Sequence, residues 1–484
     1  MVLNDEIHAV ELVYAGQNIA VTEIETSFYN ERQRVEIDLV KSLETDEAYG
    51  VGNNGEIFDV TFGLYAETDL TAADGTVIPA DGLIEIISLD ENGKGTVNSD
   101  LPFGSYYVKE LSTNSAYVLN EQKYPVHFEY AGQDTAIVHL SANDGEAIEN
   151  EIIYGSVSGL KSDEDGNALG GAVIGIFKTR TTEFTKENAV QTVTSKDDGS
   201  FSFEKVPYGT WVIREIESPT GFVLSEEEIA VTVGKVDEVV EIELVNYFIK
   251  GNIELTKVDA DYPDNKLTGA VFEVYADTNG NGEFDKDDKL CGEMTELEGG
   301  VYQMTELRYG KYFVREKTAP DGFVLDDGVY GVSIEENGKT YTVENKAGVG
   351  FINDAQKGSL KIVKTSSDGK VEGFSFRVTS TDGYDQTFKT DKNGEIFIKG
   401  LRIGEYTVSE VSDSASAGYI LPADKQATVK TDSTTIVEMH NEFRDTPKTG
   451  DDFNLGLWVS LAAASVIGAG VLGFVGFKKK KKED

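Results

Sequence analysis

The chain has 484 residues, 86 of them acidic and 43 basic, for a formal net charge of −43. Such an excess of carboxylates argues against nucleic acid as a partner, because phosphates call for a basic surface, and it reads instead as solubility and mutual repulsion. A single cysteine, Cys291, excludes an intramolecular disulfide framework.

In chain order, the first segment is AVELVYAGQNIAVTEIETSFYN, similar to the later PVHFEYAGQDTAIVHLSANDGEAIEN. Tyr14-Ala15-Gly16-Gln17 returns as Tyr130-Ala131-Gly132-Gln133. Residues 1–30 are therefore expected to be the closing strands of a β-domain whose front lies upstream. Met1 to Ala20 is acidic and alternating, with neither the basic start nor the apolar centre of a signal peptide.

From there an asparagine followed eleven residues later by a lysine recurs: Asn30 and Lys41, Asn150 and Lys161, Asn246 and Lys257, Asn353 and Lys364. A fixed interval within segments of variable length marks a repeat boundary. It divides the chain into units 31–152, 153–248, 249–355 and 356–444, each near the size of a β-sandwich module. Every unit repeats one order of elements. A lysine strand such as NIELTK comes first, then an apolar run (FDVTFGLYA, GGAVIGIFK, LTGAVFEVYA, VEGFSFRVTS). A Gly-containing turn leads to a third block (LPFGSYYVKE, VPYGTWVIRE, LRYGKYFVRE, LRIGEYTVSE). Period-two alternation punctuated by turns predicts all-β modules.

Residues two apart in a strand share a face. Lys41 therefore points with Val35, Ile37 and Leu39, Lys257 with Ile253 and Leu255, and Lys364 with Leu360 and Ile362. The same parity aims Glu110, Glu215, Glu316 and Glu410 inward, and Asn246, Asn353 and Asn441 as well. In the second unit Gly159 stands where an inward apolar residue is expected before Lys161, and the closing strand of the first unit, before Asn150, is irregular. Buried ionisable groups are rare unless paired. One reading is a Lys–Glu ion pair completed by Asn. The other is a covalent Lys–Asn isopeptide bond assisted by the Glu, since desolvation favours both a neutral amine and a neutral acid and fixed neighbours supply effective molarity.

The strand GNIELTKVD, the run LTGAVFEVYA, the segment LRYGKYFVREKTAPDGFVL and the closing FIN resemble the SpaA-like pilin and collagen-adhesin B-type domains. That resemblance implies tandem prealbumin-like, Ig-like β-sandwiches that carry this bond. Carried over by position, it implies Lys41 to Asn150 with Glu110, Lys161 to Asn246 with Glu215, Lys257 to Asn353 with Glu316, and Lys364 to Asn441 with Glu410.

Within the third unit, the run from Asp277 to Asp288 matches a calcium-loop pattern. Asp277, Asn279, Asn281, Asp285 and Asp288 would offer side-chain oxygens and Glu283 its carbonyl, with Asp288 where the pattern has Glu. Bound Ca2+ is the expectation. His8, His127, His139 and His440 are scattered, and no catalytic constellation is visible, so the chain is not expected to be an enzyme.

The C-terminal segment 445–484 holds Thr446-Pro447-Lys448-Thr449-Gly450, an uncharged run over 453–477 and Lys478 to Lys482. The run is long enough for a transmembrane helix, and the basic tail sets it on the cytoplasmic side. Pentapeptide, helix and tail together resemble the cell-wall sorting signal of Gram-positive surface proteins, with Thr446 in place of that signal's leucine. The resemblance implies cleavage by sortase between Thr449 and Gly450 and transfer to a peptidoglycan precursor. The expected role is a wall-anchored stalk or a pilus or adhesin subunit, with other pilus subunits or a host matrix or glycan ligand as partners. No polymerising pilin motif is visible, which favours a stalk or accessory subunit. The rival reading is the spacer and wall anchor of an exported enzyme whose catalytic domain lies upstream.

Overall fold

Alternation of apolar and polar residues becomes alternation of burial along the strands. In Lys357–Ser366, Gly358, Leu360, Ile362 and Lys364 are buried while the residues between them are not. A computed structural model of the chain describes residues 1–11, 13, 14, 16–19 and 25–444. The expected membrane span and the pentapeptide Thr446–Gly450 lie outside the described residues, among which no helix is long and apolar enough to cross a membrane.

Four β-sandwiches follow one another. In the second, one sheet orders Ser200–Pro207, the lysine strand Tyr154–Asp163 and the closing strand Val239–Asn246. The facing sheet orders Gln191–Thr194, Val173–Lys178, the glutamate strand Gly209–Glu217 and Ile229–Val233. The fourth repeats this plan with Lys357–Ser366 beside Thr434–Phe443 and Ser375–Ser380 beside Gly404–Glu410. In every domain the first strand runs parallel to the closing one. The closing run of the first domain is broken, as its sequence suggests: Ile137–Ser141 and Ile148–Asn150 both pair with Arg34–Leu43, separated by a short 3-10 turn. Thr340–Thr342 and Phe351–Asn353 likewise both pair with Lys250–Asp259 in the third domain, with a turn closed by the Lys346–Gly350 bridge between them.

Between the sheets lie cores such as Val157, Ile174, Ile176, Phe203, Ile213 and Leu244. Gly159 does not leave a hole in this one. A Cβ there would come within 2.1 Å of the Phe201 ring, so the aromatic of the neighbouring strand occupies the space that an inward side chain takes elsewhere. The described residues of the segment 1–30 carry no strand; Val2 and Leu3 donate their N–H groups to the carbonyls of Glu31 and Gln133.

Successive domains meet at joints of one design and two chemistries. Tyr117, Phe222 and Phe323 bridge to Ile152, Phe248 and Ala355 of the linkers. At the second joint Arg308 stacks 3.8 Å over Phe248 and reaches Asp165 at 2.7 Å, while Lys250 pairs with Glu164 at 2.9 Å. At the third, Arg402 forks onto Asp259 and Asp261 and Lys357 joins Asp261. At the first joint Tyr154 and Pro207 take the places of these cations. There Tyr49 packs edge-on against Trp211 at 4.7 Å, and Tyr49, Val51, Tyr117 and Ile152 belong to the core of the second domain.

Candidate functional site: buried lysine, glutamate and asparagine

Register puts the expected residues together. Across the parallel pair, Lys41 lies opposite Ile148, Lys161 opposite Leu244, Lys257 opposite Phe351 and Lys364 opposite Met439. The asparagine comes two positions further along the closing strand each time, on the same inward face. The glutamate reaches across from the facing sheet, where Glu110, Glu215, Glu316 and Glu410 pair with Phe62, Ile174, Phe272 and Phe376. The lysines are 0 to 3 % exposed, the glutamates 1 to 8 % and the asparagines 0 to 2 %, so water cannot solvate their charges.

The triads fall into two arrangements. In the second and third domains the lysine amine donates to the side-chain carbonyl oxygen of Asn246 or Asn353. Lys161 lies 3.6 Å from Glu215 and Lys257 3.3 Å from Glu316. Asn246 donates its amide to both oxygens of Glu215 at 2.9 Å, and Asn353 to those of Glu316 at 3.0 and 2.9 Å. In the first domain Lys41 turns to the carbonyls of Ser42 and Ile148, both at 2.8 Å, while Asn150 donates to Glu110 and to Thr113. In the fourth Lys364 donates to the Thr365 carbonyl at 2.6 Å and Asn441 to Glu410 at 2.6 Å. The side-chain carbonyl oxygens of Asn150 and Asn441 are buried without a partner.

Burial lowers the Lys41 and Lys257 amines to about 8, against the opposing pull of Glu110 and Glu316. Lys161 and Lys364 are lowered by the same cause. Glu410 is raised, again chiefly by burial. A buried amine with access to its neutral form, held at an amide carbon beside a carboxyl group, can attack that amide and expel ammonia.

Sequence reasoning did not find the groups that orient the glutamates. Asn120, Ser225 and Asp326 donate backbone N–H groups to Oε2 of Glu110, Glu215 and Glu316. Their signal was the recurring YVLN, FVLS and FVLD. Thr113, the added partner of Asn150, had none.

The Asp277–Asp288 loop is closed by hydrogen bonds of its own. Asp277 accepts from the N–H groups of Gly280 and Gly282, and Asp285 accepts from the amides of Asn279 and Asn281. Asp288 accepts from the N–H of Asp285, its other oxygen being buried without a partner. The Lys311 amine donates to the Gly282 carbonyl at 2.6 Å. Glu283 gives its N–H to Asn281. The donors are of the oxygen type that suits Ca2+, but no group of three or more His, Cys, Asp or Glu side chains converges at metal-binding distance among the described residues. Cys291 is exposed.

Tandem β-sandwiches that each bury a lysine and an asparagine on adjacent parallel strands, with a glutamate from the facing sheet, define one repeated domain type. The chain belongs to the SpaA prealbumin-like fold domain family, whose profile matches residues 49–143, 155–247, 251–347 and 358–443. Among solved structures, the Bacillus anthracis TIE protein is similar at 22% identity and a TM-score of 0.51, over 80% of this chain and 69% of that one. BcpA, the major pilin subunit of Bacillus cereus, matches at 16% identity and a TM-score of 0.30, over 60% of this chain and 99% of its own. A Streptococcal ancillary pilin matches at 18% identity and a TM-score of 0.24, over 66% and 99%. No curated protein matches the chain.

Proposed function

We propose that this protein is a wall-anchored surface stalk or pilus accessory subunit whose domains are stapled by Lys–Asn isopeptide bonds. The observation that carries the reading is the fourfold recurrence of one buried triad at one register. An ion pair alone explains it poorly, because buried pairs commonly contribute no more than apolar residues of equal volume. In the proposed reaction the neutral lysine Nζ attacks the asparagine Cγ while the glutamic acid polarises the carbonyl; the Cγ–Nδ2 bond breaks and ammonia leaves. The product ties the first strand to the last, so tension along the chain bypasses the sheet between them.

Anchoring rests on Thr446–Gly450, the apolar run and the basic tail. Sortase would cleave between Thr449 and Gly450 and pass the Thr449 carbonyl to the peptidoglycan precursor. The test is fractionation of Gram-positive cells expressing the chain behind an export signal. A wall hydrolase should release the parent, whereas Thr449→Ala should stay with the membrane; equal release of both contradicts anchoring. For the Asp277–Asp288 loop we propose Ca2+, held by Asp277, Asn279, Asn281, Asp285 and Asp288 in place of their mutual hydrogen bonds.

A further inference from the structure

Three of the glutamates are held by a backbone donor that the fourth lacks. Asn120, Ser225 and Asp326 give their N–H groups to Glu110, Glu215 and Glu316 at 2.7, 2.8 and 2.9 Å. Each donor stands three residues after the aromatic that bridges to the linker: Tyr117, Phe222 and Phe323. In the fourth domain the corresponding bridge joins Tyr419 to Phe443. The third residue after Tyr419 is Pro422, so YVLN, FVLS and FVLD become YILP. Proline has no N–H to donate. Accordingly Glu410 Oε2 is buried with no hydrogen-bond partner.

We propose that Pro422 is a positioning residue for the Lys364–Asn441 reaction: by withholding an N–H it leaves the Glu410 carboxyl free to serve as the acid and gives this crosslink an acid dependence different from that of the others. The inference rests on the isopeptide reading above.

The groups facing Glu410 are few. Lys364 comes from the first strand, Asn441 from the closing strand, and Asp413 from the segment after the glutamate strand; Asp368 acts on Lys364. Burial raises the Glu410 carboxyl; Asn441 and Lys364 oppose the shift and Asp413 adds to it. The 2.6 Å separation between Glu410 and the Asn441 amide suits a carboxylic O–H donating to the amide oxygen, once that amide is turned to present it.

Lys364 and Glu410 share one proton whether they are neutral or an ion pair, but only the neutral form has an amine that attacks. In the reaction Nζ bonds to Cγ, the acid proton goes to the carbonyl oxygen, and the carboxylate relays an amine proton to Nδ2, which leaves as ammonia with its bonding electrons. The carbonyl re-forms and returns its proton to the carboxylate, so nothing is oxidised or reduced. An added N–H on the carboxylate favours the ion pair, by a factor of about ten or more for a hydrogen bond to a charged group.

The test uses the full chain, freshly synthesised in a cell-free system and moved into buffers from mildly acidic to mildly alkaline. Peptides joined through Lys364–Asn441 and Lys257–Asn353 are followed in time by mass spectrometry. Pro422→Ala and Pro422→Ser both restore an N–H. Each should slow the Lys364–Asn441 bond about tenfold relative to Lys257–Asn353 in the same molecule. Each should also move the acid limb of its rate profile to lower pH, because a donor to the carboxylate lowers its pKa and the doubly protonated, unreactive pair then forms only in stronger acid. Ser225→Pro should move the acid limb of the Lys161–Asn246 bond the other way, and it decides the matter if the Pro422 variants do not fold. Unchanged relative rates, or slowing without movement of the acid limb, overturn the proposal. Absence of both crosslinks from the parent chain defeats the isopeptide reading itself.

Discussion

Lys257 lies opposite Phe351 and Asn353 opposite Asp259 on parallel neighbouring strands, and the lysine amine meets the asparagine side-chain carbonyl. Lys161 and Asn246 stand in the same relation, whereas Lys41 and Lys364 turn to backbone carbonyls. The second and third domains should therefore complete their bonds before the first, whose glutamate carries the same backbone donor as theirs. Peptide mapping of the chain at intervals after synthesis checks this; simultaneous appearance of these three crosslinks contradicts it.

Charge and packing should separate the joints. Arg402→Ala leaves Asp259, 2 % exposed, without its cation, at a cost of about 2 kcal/mol. Proteolysis near the linker residues Asp354 to Gln356 should accelerate, and the difference from the parent should narrow in high salt, which weakens the pair that the parent retains. Burial alone would raise the Asp259 carboxyl, but the hydrogen bonds and charge of Arg402, with the backbone N–H groups of Asp261 and Tyr262, outweigh it and hold the group below its ordinary 3.8. The contribution is thus present above that ordinary value and is lost as the pH falls through the depressed one. The first joint, closed by Tyr49, Val51 and Trp211, should respond less to salt.

Phe201 fills the space above Gly159. Gly159→Ala should destabilise the second domain by about 1 to 3 kcal/mol through overpacking, and pairing it with Phe201→Leu should recover part of that loss. Urea titration of the two variants reads both effects. An unperturbed Gly159→Ala would show that the ring is free to move aside.

Calcium, if it occupies the Asp277–Asp288 loop, should stabilise the third domain by about 2.7 kcal/mol at a hundredfold excess over its dissociation constant. Thermal melting with and without chelator, on the parent and on Asp277→Ala, measures this. Identical curves for the parent in both conditions contradict calcium binding.

Much of this was legible in the sequence because strand parity is a local property. The inward direction of Lys257, Glu316 and Asn353 follows from alternation alone, and their burial agrees with it. Pairing partners are not local. That Glu316 enters from the facing sheet beside Phe272, or that Asp326 closes over it with a backbone N–H, depends on how the loop after the glutamate strand returns across the sandwich. Arg402 and Asp259 are 143 residues apart and meet only once two domains have docked. Gly159 departs from the inward apolar pattern, and the ring that fills its place belongs to the neighbouring strand, which the alternation of its own strand does not reveal.

Intact mass of the expressed chain tests the central claim most directly. The chain should be lighter than its sequence by one ammonia for each bond formed, and Glu316→Ala should restore one ammonia while leaving the other bonds in place. A parent at its full sequence mass would contradict the account, leaving the buried triads as ion pairs and hydrogen bonds only.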